Sequence, residues 1–337
     1  MQLILSSFFA IGLMPMAWME IARPPASLAF SSVAIAAAHP NGQILQVNGD
    51  ARLERQDRQI QPLPGMQIYP GDRLLTARGA QLVVQCADLT IESILGEQLN
   101  DCAAPASLSC NPDLYECPPR GDWASLTSND GIPYPISPRR TYLLNDRPPL
   151  RWNLVPGATE YTVSLLENGI ELWHVTTPDT QIDYPSDRPL RVGAEYLLVI
   201  ETDTGISSLD AEPIPGGLGF RLLSEDGRRE VEEAIAQIDT QNLEESARGL
   251  AISFVYTSRG LTSEALEILE NPIDSGMGNA PLYSRVAQLY WHYLALPEQA
   301  LEPYCQTVKL ASDDLLELRQ QAQEHLDRLT DSCASLP

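Results

Sequence analysis

At Ser224 the hydrophobic period of the chain changes, and this change limits the fold more than any other feature. Upstream, apolar residues come in short alternating runs broken by Gly, Pro and Asp. Downstream they recur at three- and four-residue spacing, as Val231, Ala234, Ile235 and Ile238 do in REVEEAIAQI. Alternation puts successive side chains on opposite faces of a strand, whereas a 3.6-residue period gathers them on one face of a helix. Ser224, followed by Glu225 and Asp226, has the form of an N-cap with an acidic first turn. A chain of 337 residues is long enough for two or three domains at roughly 100–200 residues each. With strand patterning first and helical patterning last, it reads as a multidomain α+β protein.

Ahead of the strand region, residues 3–19 are almost all apolar, and a second apolar stretch runs from Leu28 to Ala38. The second stretch ends in A-x-A triplets just before His39-Pro40, the form of a signal-peptide cleavage site. Residues 1–38 are therefore expected to be a signal peptide, whether translation starts at Met1 or at Met19. Pro15, Glu20 and Arg23 limit the first run, so cleavage is expected rather than a permanent anchor. No later segment is apolar enough to span a membrane.

Six cysteines fit an oxidising compartment such as a periplasm. Cys86, Cys102, Cys110 and Cys117 lie close together, and Cys305 and Cys333 lie near the end. Four cysteines allow three connectivities; the expected bridges are Cys86–Cys102, Cys110–Cys117 and Cys305–Cys333. Spacings of C-x7-C and C-x6-C do not suit zinc, which favours C-x2-C-like pairs.

From Gly42 to about Ile94, runs such as ARLER and AQLVVQC alternate with turns at Pro64-Gly65 and Pro70-Gly71-Asp72, predicting a small β-domain over 39–95. The pattern G-x-I-x-x-V-x-G-x-A-x-L (Gly42 to Leu53), L-P-G (Leu63 to Gly65) and PGDRLLTARGAQLVV (Pro70 to Val84) resembles the FecR-type periplasmic domain. Gly71, Asp72, Leu74, Thr76, Gly79 and Ala80 match its turn and second strand directly, and Asp72 is placed to bond nearby backbone amides. The resemblance implies a β-rich extracytoplasmic module. It does not carry over the family's sigma-factor contact, because the apolar export segment here starts at residue 2 or 3. Residues 96–131 read as a disulfide-stapled connector.

Between residues 132 and 223, strand-like runs recur between VPGA, ENG, PSD and RVG turns, as in a β-sandwich. The run L-x-W-x-x-V-x-G-A-x-x-Y-x-V (Leu150 to Val163), with Tyr196 in a late strand, resembles fibronectin type III or immunoglobulin-like modules. This places Trp152, Tyr161 and Tyr196 in a core and implies a fold, not an activity. Trp173-His174 reads as ordinary strand alternation, and the Gly-rich PIPGGLGF (Pro213 to Phe220) as a hinge into the helices.

Within residues 224–337, placing Tyr256 on Tyr290 aligns two helical stretches at a 34-residue offset. That period resembles tetratricopeptide repeats, whose arrays bind peptides along a concave face. Tyr256, Tyr290 and Trp291 are the candidate partner-binding residues. His292 reads as helix core and His325 as a solvated residue of a charged helix.

No nucleophile-elbow, zinc-protease, phosphate-loop, dinucleotide or EF-hand motif is present, so no catalytic, cofactor-binding or metal-ligating residue is assigned. Carboxylate pairs such as Glu232-Glu233, Glu244-Glu245 and Asp313-Asp314 read as helix surface. The net charge of -23 excludes a nucleic-acid footprint and disfavours an anionic membrane surface. Residues 224–337 hold 20 acidic and 8 basic side chains, which favours a basic or neutral partner for the tail. The expected protein is a non-enzymatic, exported envelope protein that binds protein or cell-wall partners through its FecR-like and helical modules. The alternatives are an enzyme acting on envelope polysaccharide and a sensory accessory of a membrane signalling system.

Overall fold

Strand alternation upstream of Ser224 produces mainly antiparallel sheets, and the helical period downstream produces six α-helices among the described residues, so the chain is α+β. The computed structural model describes residues 41–102 and 131–329, apart from 186, 212, 215 and 216, together with 333–335. The expected signal peptide over 1–38 lies outside the described residues, as do Cys110 and Cys117 with their expected bridge. Among the described residues, no helix is long and apolar enough to cross a membrane.

The first β-unit holds β1 (Gly42–Asn48), β2 (Ala51–Arg55), β3 (Arg58–Ile60), β4 (Gln67–Ile68), β5 (Arg73–Thr76), β6 (Gln81–Cys86), β7 (Ile91–Ile94) and β8 (Glu97–Leu99). They form two four-stranded sheets, ordered β4-β1-β6-β7 and β3-β2-β5-β8. Ile44, Leu53, Ile68, Leu74, Leu82, Val84 and Ile94 fill the core between them. A disulfide joins Cys86 to Cys102 at its edge. Strand β8 pairs with β5, so the unit reaches into the stretch expected to be connector. Leu45 and Val83, on the opposite faces of β1 and β6, are buried against helices. The β4-β1-β6-β7 sheet is therefore covered on both sides, and β1 reads as an apolar run rather than a strict alternation.

The second β-unit holds β9 (Pro135–Ser137), β10 (Thr141–Leu143), β11 (Pro149–Trp152), β12 (Tyr161–Glu167), β13 (Ile170–Thr177), β14 (Gln181–Asp183), β15 (Tyr196–Thr202) and β16 (Phe220–Leu222). Its sheets are ordered β14-β11-β9 and β10-β16-β15-β12-β13, and only β10 and β16 pair in parallel. Trp152 packs edge-on to Tyr161, and both lie with Tyr196 and Phe220 in one core between the sheets. The Tyr161 hydroxyl accepts from the Val155 N–H at 2.9 Å. Tyr196, which opens β15, accepts from the Arg191 N–H at 2.8 Å and donates to Glu167 at 2.9 Å. Trp173 packs on Tyr184, whereas His174 is exposed beside Glu171. The Gly-rich stretch is not a simple hinge. Phe220, its last residue, begins β16, and a Cβ at Gly219 would crowd the Glu195 side chain at 3.0 Å and the Tyr196 carbonyl at 3.2 Å.

The helices are α1 (Glu225–Asp239), α2 (Glu245–Ser258), α3 (Thr262–Pro272), α4 (Ala280–Gln288), α5 (Pro297–Leu310) and α6 (Leu316–Leu326). Ser224 caps α1 by accepting from the Gly227 N–H. Helix α3 lacks a side-chain cap of its own. The buried Thr141 hydroxyl of β10 supplies one, accepting from the Thr262 and Ser263 N–H groups at 2.9 and 3.3 Å. Helices α2, α4 and α6 lie side by side, with α3 packed on α2 and α5 packed on α4 and α6. A second disulfide joins Cys305 of α5 to Cys333.

The two β-units meet different layers of this array. Helices α2, α4 and α6 face the first unit through Leu250, Pro281 and Glu317. Helices α3 and α5 face the second. Arg151 of β11 pairs with Glu270 of α3, and Tyr134 bonds Glu298 and Gln299 of α5.

Candidate functional site

The Gly71-Asp72 turn builds one wall of the site. Gly71 sits at φ +91°, a conformation that glycine adopts without strain, and Asp72 accepts from the Tyr69 N–H at 2.8 Å. The Asp72 side chain, 2% exposed, also receives Arg55 as a two-pronged pair, Nε to Oδ1 at 2.9 Å and Nη2 to Oδ2 at 2.8 Å. Arg55 then donates through Nη2 to the Gln67 carbonyl and through Nη1 to Glu317 on α6, and its guanidinium lies over the Tyr69 ring. Burial opposes the Arg55 charge, but the Asp72 hydrogen bond and the charges of Asp72 and Glu317 outweigh it and raise its pKa.

The L-P-G turn next to it presses on the helices. At Gly65, with φ +84°, a Cβ would come within 2.8 Å of Leu250 Cδ1 and 3.1 Å of Pro281 Cβ. The turn leaves a narrow, mostly apolar groove of about 60 Å³ between the first β-unit and α2, α4 and α6. That volume holds a few waters or the tip of one side chain. Met66 and Pro64 form one wall, Leu250 and Phe254 of α2 another, and Leu318 and Gln321 of α6 the far side. Among the lining residues Glu317 is the one carboxylate, and Arg55 and Arg285 are the two cations.

None of the three residues expected to receive a partner, Tyr256, Tyr290 and Trp291, lines the groove. Tyr290 and Trp291 are 5% and 2% exposed and belong to the helical core. The Tyr290 hydroxyl donates to Glu270 at 2.7 Å, and Glu270 also pairs with Arg151. Burial and that carboxylate push the Tyr290 pKa up. The second β-unit meets Tyr290 through Arg151 and Glu270, whereas Trp291 packs on Tyr304 of α5 and His325 of α6. Tyr256 is partly buried against both helical clusters and does not line the groove.

His325 is half-buried rather than solvated. Its ring stacks on Tyr304 with centroids 4.9 Å apart, and it lies 4.9 Å from Trp291 and 5.2 Å from His292. Burial, with the Arg328 charge, lowers both histidines to about 4, so they are neutral at neutral pH. Glu264 of α3 is the reverse case. Its Oε1 accepts from the Leu144 N–H at 2.6 Å, and burial pushes it up to about 7.

Glu232, Glu233, Glu244 and Glu245 are exposed, as is Asp313. Among the described residues, no three His, Cys, Asp or Glu side chains gather to hold a metal ion. Arg55, Arg285 and Glu317 escaped sequence reading because no local motif marks them: Arg55 ends an ordinary strand, and its helical partner is 262 positions away. No family model matches the chain, and no curated protein matches it.

Proposed function

We propose that this chain is a non-enzymatic, exported envelope protein that binds a protein or cell-wall partner in the groove between its first β-unit and helices α2, α4 and α6. One observation carries this reading. The groove is mostly apolar, and among its described lining residues Glu317 is the one carboxylate, tied to Arg55. Glycoside hydrolysis by an acid/base or acid/nucleophile pair needs two carboxyl groups about 5–10 Å apart, whereas an apolar crevice with a polar rim suits a side chain of a partner.

The module names are part of the same proposal. The buried Asp72 turn supports a FecR-like first unit. The three- and five-stranded sheets support a fibronectin- or immunoglobulin-like second unit. So does Tyr196, bonded back to the backbone just upstream of its strand. Two helix hairpins, with Ala265 and Ala300 fully buried in the second helix of each, support a tetratricopeptide-like array. The joined pairs Cys86–Cys102 and Cys305–Cys333 support export to an oxidising compartment.

A displayed random-peptide library tests the reading. Peptides selected on the full mature chain should lose binding when Leu318→Trp fills the groove. Binding that survives Leu318→Trp, or release of sugars from envelope polysaccharide by the purified chain, would overturn it. Mass spectrometry of the mature N-terminus should find a chain starting near His39; a retained N-terminal segment would favour the sensory alternative.

A further inference from the structure

We infer that the groove selects a ligand segment carrying a carboxylate, and that Arg285 receives it; the inference rests on the groove reading above. The two cations of the groove differ in kind. Arg55 is neutralised by Asp72 and Glu317. Arg285, on α4, has only neutral hydrogen-bond partners among the described residues. Its Nη2 donates to Thr257 Oγ1 at 2.8 Å, its Nε to Ser253 Oγ at 3.3 Å and its Nη1 to Gln288 Oε1 at 3.5 Å. Hydroxyls and an amide orient a guanidinium without cancelling its charge, and the two longer contacts are at the weak end of hydrogen bonding. A carboxylate makes charge-assisted bonds to the same fork at about 2.7–2.9 Å, roughly twice as strong.

The Arg285 guanidinium also lies 5.9 Å from the Tyr293 ring centroid, and a groove cation with no carboxylate partner among the described residues stands out in a chain with 45 acidic and 22 basic residues. The acidity of the helical tail repels anions at long range, but salt screens that field beyond about 8–10 Å. Within contact distance the fixed guanidinium dominates. The partner chemistry that fits is one apolar side chain, entering between Phe254 and Leu318, beside an Asp or Glu side chain of the same segment. The tail's overall charge had favoured a basic or neutral partner, and the groove's local charge points the other way.

The test uses the library-selected peptides on the full mature chain. Groove-dependent peptides, meaning those displaced by Leu318→Trp, are expected to be enriched in acidic residues. Replacing that acid by its amide should weaken binding roughly tenfold or more. In Arg285→Gln the acid and amide forms should bind equally, and in Arg285→Lys the acid preference should partly return. Circular dichroism checks that each variant stays folded; should Arg285→Gln unfold, the acid-against-amide ratio on the unmodified chain and on Arg285→Lys decides. Groove-dependent peptides that are neutral or basic, or an acid preference unchanged in Arg285→Gln, overturn the inference and leave the groove reading standing. Peptides indifferent to Leu318→Trp overturn the groove reading and the inference together.

Discussion

Arg55 and Glu317 stand 262 positions apart in sequence and meet at 2.8 Å, fastening the first β-unit to α6 beside the groove. The same guanidinium holds the buried Asp72 carboxylate, so one side chain serves both the turn and the interface. Arg55→Ala would leave Asp72 buried with its backbone donor alone. That change should cost about 3–5 kcal/mol, the penalty for breaking a buried pair. Glu317 is a third exposed, so Glu317→Gln should cost no more than about 1 kcal/mol. Urea unfolding of the two variants checks the contrast; equal losses would mean that Asp72 does not depend on Arg55.

The imidazole pair makes stability acid-sensitive. Burial lowers His292 and His325 to about 4 in the folded protein, against about 6.5 unfolded. Between those values the unfolded chain binds more protons, so stability should fall as pH drops from about 6.5 to about 4. His325→Phe keeps a ring against Tyr304 and Trp291 and cannot be protonated. Its stability should vary less over that window, measured as denaturation midpoint against pH. An unchanged profile would show that His325 titrates normally.

Glu264 contributes the opposite slope. Burial pushes its carboxyl up to about 7, so the folded state binds the extra proton between about 4.5 and 7, and stability is lost as pH rises through that range. Glu264→Gln retains an oxygen for the Leu144 N–H and carries no charge. At pH 8 it should be more stable than the unsubstituted chain by on the order of 2 kcal/mol, with the gain vanishing near pH 5. A loss of stability at pH 8 would mean that the ionised carboxylate is compensated.

Much of this architecture can be read from residues alone. The period change at Ser224, the core placement of Trp152, Tyr161 and Tyr196, and two of the cysteine pairs correspond to what the structure shows. Strands β9, β10 and β16 were not legible, since three residues carry no measurable alternation and β10 finds its parallel partner only through the sandwich. Tyr290 and Trp291 illustrate a different limit. An aromatic helix face has the same spacing whether it meets solvent, a peptide or another part of the chain, and the Arg151–Glu270–Tyr290 contacts decide for the last. His325, flanked by Glu324, Asp327 and Arg328, reads as surface until α5 brings Tyr304 against it. The groove was illegible for a similar reason, because its walls come from three widely separated stretches of chain.

Photocrosslinking from position 254 of the exported chain in intact cells tests the central claim most directly, with a photoreactive phenylalanine analogue replacing Phe254 on the groove wall. A discrete adduct to one envelope partner is expected. It should be absent when the probe is moved to the exposed Leu209 and lost when Leu318→Trp fills the groove. Crosslinks confined to the chain itself, or the same adducts from both positions, would contradict binding in the groove.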